Sequence, residues 1–323
     1  MRKTENEMTV NGKVYDINME KRTSRNGNDY ISGKIVVATN KVETVEEDMR
    51  LVELRFNYIA PTYKNGNPNR SYTECQRLIN SNKSILNVGL EDADYVRIST
   101  SLTLNEYYNM QSEEFVSFPQ IGGMGGFINV GDGASLDAYK NVFQVDALCT
   151  GVKIHEADPD RGVDNTTVEV NAQIFDFFGN MMPVQFVVKS KGGMNYFANE
   201  AGISKNTPLF THLTGYANVG TIIKKRTIES AFGEPYVEEV PHSVREWVVI
   251  AAKREPYILG QDITEEDIKT KTEDRELRLA EMKNSAIEYA KSQKNTSPMN
   301  AFAPTNTSTS STASVGGDIP FKF

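Results

Sequence analysis

NVFQVDALCTGVKIHE, ADPDRGVDN and TTVEVNAQIFDF, residues 141–177 read in three pieces, are an extended run, a turn and a second extended run. In the second run Val168, Val170, Ala172 and Ile174 alternate with Glu169, Asn171 and Gln173. A period of two puts every other side chain on the same side, so this is a strand with one buried face. Asp158-Pro159-Asp160 and Arg161-Gly162 supply the chain reversal. Phe175 falls on the polar side of the alternation, where an aromatic ring has no core to fill.

Working outward, PVQFVVK at 183–189 reads as a third strand and GMNYFANEAG at 193–202 as a short helix. Two further strands follow, PLFTHLTGYANVG at 208–220 and VREWVVIAAK at 244–253, with 221–240 as a loop between them. The same order stands earlier in the chain. Residues 13–39 form a hairpin about Asn26-Gly27, with Gly33 marking a bulge in its second run. A strand at 51–60, a helix at 71–80 and strands at 94–104 and 114–121 complete it. Strand-strand-strand-helix-strand-strand is the order of the five-stranded OB barrel. The reading is therefore mainly β, with two OB-like barrels in tandem at 1–135 and 136–261; the alternative is one large β-sandwich. An acidic helical segment follows at 262–294, where Thr264 is the cap and Asp267 stands where a capping box wants Glu or Gln. Residues 295–323 are small, polar and Pro/Gly-containing, the composition of a disordered tail.

A chain that is 39% hydrophobic and 24% charged can bury a core, and a net charge of −8 excludes a histone-like basic binder. It does not exclude a local positive groove. Cys75 and Cys149 lie far apart and form no Cys/His cluster, so they read as reduced thiols, without disulfide or zinc. No apolar leader opens the sequence, and its longest apolar run, Trp247 to Ala252, is read as a buried strand. These features predict a soluble cytoplasmic protein, in the host cell's cytoplasm if phage-encoded, with no membrane contact. GGMGG at 122–126 lacks the Lys-Ser/Thr of a P-loop, and HEADPD at 155–160 lacks the Gly and closing Glu of a calcium loop. Both read as loops or turns. No nucleophile or paired catalytic carboxylates are recognisable, so neither an enzyme nor a cofactor is expected.

The tail ends Asp318, Ile319, Pro320, Phe321, Lys322, Phe323. An OB-type body, a low-complexity linker and an Asp-Ile-Pro-Phe tip resemble the single-stranded DNA-binding proteins of bacteria and their phages. Two barrels in one chain resemble certain phage versions more. In that family the tip recruits replication and repair proteins through its Phe and its terminal carboxylate. Here Asp318, Ile319, Pro320 and Phe321 match, while Lys322 follows and Phe323 carries the carboxylate. The resemblance implies sequence-independent binding and protection of single-stranded DNA in replication, recombination or repair. The alternative is a viral structural or assembly protein built from β domains.

A single-strand binder needs cations for phosphates and flat rings for bases. The expected DNA-binding residues in the first half are Lys34, Tyr58, Tyr63, Lys64 and Arg70. In the second half they are Phe175, Phe177, Lys189, Lys191, Tyr196, Lys224, Lys225, Arg226, Phe232 and Tyr236. The expected partner-binding residues are Asp318, Ile319, Pro320, Phe321 and Phe323.

Overall fold

A computed structural model describes residues 1–24, 26–41, 49–123, 126–131, 139–157, 165–228 and 236–295. Within 220–243 and 293–295 only the backbone is described. The second half is a closed ring of five strands: β8 (Lys140–His155), β9 (Thr167–Phe175), β10 (Met181–Val188), β11 (Leu209–Ile228) and β12 (Tyr236–Ala252). The pairings β8·β9, β9·β10, β12·β11 and β11·β8 are antiparallel, and the ring closes by parallel pairing of Phe186, Val187 and Val188 with Trp247, Val248 and Val249. Between the third and fourth strands lies α3 (Lys191–Asn195), which runs into a π-helical turn, Tyr196–Glu200. Alternate residues of β9 and β10 point inward, and Phe143, Phe186 and Trp247 fill the ring with centroids 5.7 and 6.0 Å apart.

The first half repeats this plan with its last two strands broken. β1 (Asn6–Thr23), β2 (Asp29–Ala38) and β3 (Leu51–Ile59) precede two helices, α1 (Arg70–Ser81) and α2 (Ile85–Asp92). The fourth strand is split into β4 (Tyr95–Thr100) and β5 (Leu102–Asn109), the fifth into β6 (Glu114–Gly123) and β7 (Phe127–Gly131). β4 and β7 stay in the barrel, with β4 on β1 and β7 on β4. β5 and β6 leave it as a hairpin arm, whose base returns to β3 at Arg55↔Gly122 and Phe56↔Gly123. β11 and β12 likewise pair far beyond their barrel, out to Ile228↔Tyr236. The expected loop at 221–240 is therefore strand over 221–228 and 236–240: its residues pair with each other. α2 and β7 were not anticipated. Gly89, at φ 85°, breaks the helical pattern of α2, and β7 is only five residues long.

The two barrels are joined by their first strands. Asn6 pairs with Val145 and Val10 with Asn141, so exchanging Asn6 for Asn141 and Val10 for Val145 leaves the pairing unchanged. That is an internal two-fold, and the bulges obey it, falling after Val14 in β1 and after Cys149 in β8. Asn6 donates to Leu102 O and accepts from Leu102 N, both at 3.0 Å. Asn141 does the same with Ala217, at 2.8 and 3.0 Å.

The Trp247–Ala252 run is buried only through Val249, because β10 ends opposite it and leaves Ile250 and Ala251 exposed. Beyond β12 the chain folds back over the outside of the second barrel. Tyr257 and Ile263 cover a small core with Phe175, Phe210, Met181 and Leu148. Asp146, buried, fastens this segment by accepting from Tyr257 Oη at 2.9 Å, Glu5 N at 2.9 Å and His212 Nδ1 at 2.9 Å. Burial and the carboxylate of Asp146 push the Tyr257 phenol up to about 12. α4 (Glu265–Asn295) begins at a reciprocal box in which Thr264 N donates to Asp267 and Asp267 N to Thr264 Oγ1, so Asp closes the box that Glu usually closes. No helix among the described residues is long and apolar enough to cross a membrane.

Two predictions follow from the joint and its fastening. Asn141→Ala should cost about 1–3 kcal/mol in urea unfolding, and Asn6→Ala more, since Asn6 also donates to Phe175 O. An Asn6→Ala protein as stable as wild type would remove the joint from its central place. Tyr257 is neutral when protonated and its folded pKa is raised, so its contribution holds below about pH 10 and is lost as pH rises toward 12. Tyr257→Phe should be the less stable protein at pH 8, with the gap narrowing between pH 10 and 12 in parallel melts.

Candidate nucleic-acid interface

Strand alternation builds an open face on the first barrel. Asn18, Glu20 and Arg22 of β1 lie across from Lys34, Ser32 and Tyr30 of β2, and Lys34 lies across from Arg55 of β3. Tyr30 stacks on Tyr58 with centroids 4.7 Å apart and planes at 23°. Arg22 pairs with Glu20, and Lys34 Nζ lies 3.2 Å from Glu53. Arg55 is exposed and has no carboxylate partner among the described residues. Among the described residues the face therefore offers a stacked tyrosine pair, two cations in exchangeable ion pairs and a guanidinium without a carboxylate partner.

The β5–β6 arm stands beside Arg55. Gly122 has φ +113°, and a Cβ there would sit 2.4 Å from Arg55 O, so glycine is what lets the arm close on β3. Gln120 Nε2 donates to Arg55 O at 3.1 Å. The residues read as a loop at 122–126 thus begin as strand; Met124 and Gly125 lie outside the described residues. On one side of the arm Tyr107, 44% exposed, meets Phe118 edge-on at 6.4 Å. Arg245 of β12 lies over the Phe118 ring, 4.9 Å from its centre. On the other side Glu106 is held by Arg275 and Arg278 of α4, and Lys283 lies over Tyr108 at 5.1 Å.

The matching face of the second barrel is different in kind. Lys34 pairs with Asn18 and Arg55, and by the internal two-fold its counterpart is Glu169, which pairs with Lys153 and Val187. Two basic positions have become an acid and a valine. Gln185 ties this surface together by donating to Glu169 at 3.2 Å and Asn171 at 3.3 Å. His155 adds a contact to Glu169 at 3.2 Å.

The residues singled out from sequence fall in several places. Lys34 and Tyr58 are on the open face. Tyr63 and Lys64 are exposed in the turn after β3, and Arg70 opens α1 with Glu74 3.9 Å away. Phe175 is fully buried against Phe210, so its ring belongs to the small outer core and presents no stacking surface. Phe177 and Phe178 are 93% and 78% exposed at the β9–β10 turn, which Asp176 stiffens by accepting from Phe178 N and Asn180 N at 2.8 Å. Lys189 is bound to Glu246 at 2.7 Å, and Lys191 is exposed at the start of α3. Tyr196, its phenol raised by burial, lines a cavity of about 330 Å³ with Val188, Phe197, Ile250 and Lys253. Lys224, Lys225 and Arg226 are on β11, paired with Val240, Glu239 and Glu238, and Tyr236 is opposite Ile228. Phe232 and the tip residues Asp318, Ile319, Pro320, Phe321 and Phe323 lie outside the described residues. Sequence reading missed Arg22, Tyr30, Arg55, Tyr107, Phe118 and Arg245. Period two along β2 and β3 was signal enough for Tyr30 and Arg55; nothing local links Phe118 to Arg245.

Among solved structures, the chain is similar to the wild-type single-stranded DNA-binding protein from Thermus aquaticus and to a deletion variant of it. Identity is 10% with each, TM-scores are 0.45 and 0.46, and 80% of this chain is covered with 96% and 98% of those. Both TM-scores are below 0.5, so neither likeness bears on function. No curated protein matches the chain in sequence. The model of one family does match, over residues 4–285, a span that takes in both barrels, both arms and most of α4: the chain belongs to the YorF family.

Proposed function

We propose that the chain binds single-stranded DNA without sequence preference, on the outer face of β1–β2–β3 and the adjoining arm. The observation that carries this reading is the contrast between related positions: Lys34 and Arg55 on the barrel that also holds the Tyr30–Tyr58 stack, Glu169 and Val187 on the other. Bases stack on flat rings at about 1–3 kcal/mol each, and phosphates need cations at that spacing. On the second barrel's face Glu169 and Val187 stand in place of those two cations, and Lys153, at the counterpart of Asn18, is the cation of that row. Lys224, Lys225 and Arg226 of β11 are counted among the DNA-binding residues in this reading. Residues 1–135 and 136–261 act as two domains in this reading, working in the cytoplasm during replication, recombination or repair. The tip, Asp318 to Phe323, recruits protein partners.

Fluorescent oligo-dT, a mixed-sequence strand and a duplex of equal length test the reading. Both single strands should bind with similar affinity and the duplex far more weakly, with log K falling linearly against log salt. Duplex binding as tight as oligo-dT would sink the proposal. Replacing Lys34 and Arg55 together by Glu should weaken oligo-dT binding at least tenfold and flatten the salt slope by about 1.4, each lost phosphate contact accounting for ~0.7. Glu169→Lys should change affinity less than twofold. If the two faces respond alike, the site has been put on the wrong barrel.

Removing residues 296–323 should leave the melting temperature and oligo-dT affinity unchanged. It should abolish retention of a replication or repair protein in pull-downs from the native host, as should Phe321→Ala or Phe323→Ala in part. Equal retention by full-length and shortened protein would end the recruitment reading.

A further inference from the structure

Arg245 and Phe118 meet across the two barrels. Arg245 pairs with Val219 at the base of the β11–β12 arm, and Val219 in turn pairs with Val52 of β3. Phe118 comes from β6, four residues before the glycine that seats the other arm beside Arg55. The two arms thus rise next to one another, with one guanidinium lying over one ring at 4.9 Å.

This contact is built to exchange. Arg245 is exposed and has no carboxylate partner among the described residues. Phe118 is half-buried and braced edge-on by Tyr107, so its ring is held in place while the guanidinium lies over its face. A cation over a ring at an exposed site is a weaker contact than a base stacked on that ring. A guanidinium is also a better partner for a phosphate than for a ring, because phosphate accepts its forked donors.

Resting on the reading of the open face as a single-strand site, we infer that Arg245 and Phe118 form a clasp across the strand's path. In the free protein the guanidinium occupies the ring. When a strand binds, a base takes the ring and Arg245 takes that nucleotide's phosphate. One intramolecular contact is traded for two intermolecular ones, and the clasp brings a residue of the second barrel onto a strand held by the first.

The exchange has a signature that a structural contact lacks. Arg245→Gln frees the ring and removes a phosphate contact, two changes of opposite sign. At low salt the phosphate contact dominates and the variant should bind oligo-dT more weakly. Its salt slope should be shallower by about 0.7. At high salt, where the phosphate contact is screened, the variant should match or exceed wild type, so the two salt lines cross. Phe118→Leu should lower affinity by about five- to tenfold at every salt concentration with the slope unchanged, and Phe118→Tyr, which keeps the ring, should restore it. Titrations of the full chain with fluorescent oligo-dT, alongside thermal melts of each variant, measure all of this. If wild type binds oligo-dT and the Arg245→Gln line runs parallel to it, or if Phe118→Tyr fails to restore affinity in a protein that melts as wild type does, the clasp is wrong while the site stands. If wild type itself does not bind, it is the site that falls.

Discussion

The antiparallel pairing of β1 with β8 is the constraint on which everything else in this fold depends. Each barrel's first strand uses one edge of its leading half for its own fourth strand, β4 or β11. The other edge is a row of N–H and C=O groups with no partner inside its own ring. An edge of that kind must be covered, and here each barrel covers the other's. Asn6 and Asn141 sit at the two ends of the shared pairing and clamp the fourth strand of their own barrels through the same pair of backbone bonds. The joint thereby sets strand four and, through it, the direction in which each arm leaves.

What the two-fold relates, the side chains have made unequal. Asn11 of β1 and Asp146 of β8 occupy related, fully buried positions. The carboxylate at the second position gathers Tyr257, His212 and Glu5 N, with Arg2 at 4.0 Å, and uses them to fix the segment that leads into α4. A buried charge is tolerated only when it is met by donors in this way. On the outer faces the inequality runs the other way, with Lys34 and Arg55 on the first barrel and Glu169 and Val187 at the related positions of the second. One repeat is devoted to fastening the chain's return, and the other keeps its face open.

Local chemistry explains how far the sequence could be read. Val168 to Ile174 alternate without exception, and Asn26-Gly27 is a turn with Gly27 at φ 77°, so strand order and the two-barrel plan were legible. Gly33 marks the bulge it was expected to mark, with the β2–β3 register shifting beside it. Phe175 broke the alternation for a reason found eighty-two residues downstream, at Tyr257, which packs over its core. Lys189 proves to be paired with Glu246, which no local pattern announced, and Arg245 could not be tied to Phe118 by any local pattern either. The β11–β12 arm was hidden for the same kind of reason. Its outer residues pair only with each other, so 221–240 read as loop although 221–228 and 236–240 are strand.

Net charge poses the remaining physical question, since under the proposed reading a chain at −8 has to accept an anionic strand. The answer lies in one hairpin. Along β5 the alternation sends Glu106 and Tyr108 to one side and Tyr107 to the other, where Phe118 of β6 joins it. The first side is taken by α4, whose opening turn is Glu265, Glu266 and Asp267, and Arg275 and Arg278 of that helix neutralise Glu106. The second side faces Arg245. Charges separated by more than about 8 Å are largely screened at physiological salt. A strand bound on the aromatic side, as proposed, would meet the cation over Phe118 first, with the hairpin between it and the acids of α4. Period-two geometry in eight residues thus allows an acidic helix and an anion-accepting face to share a single element without opposing one another.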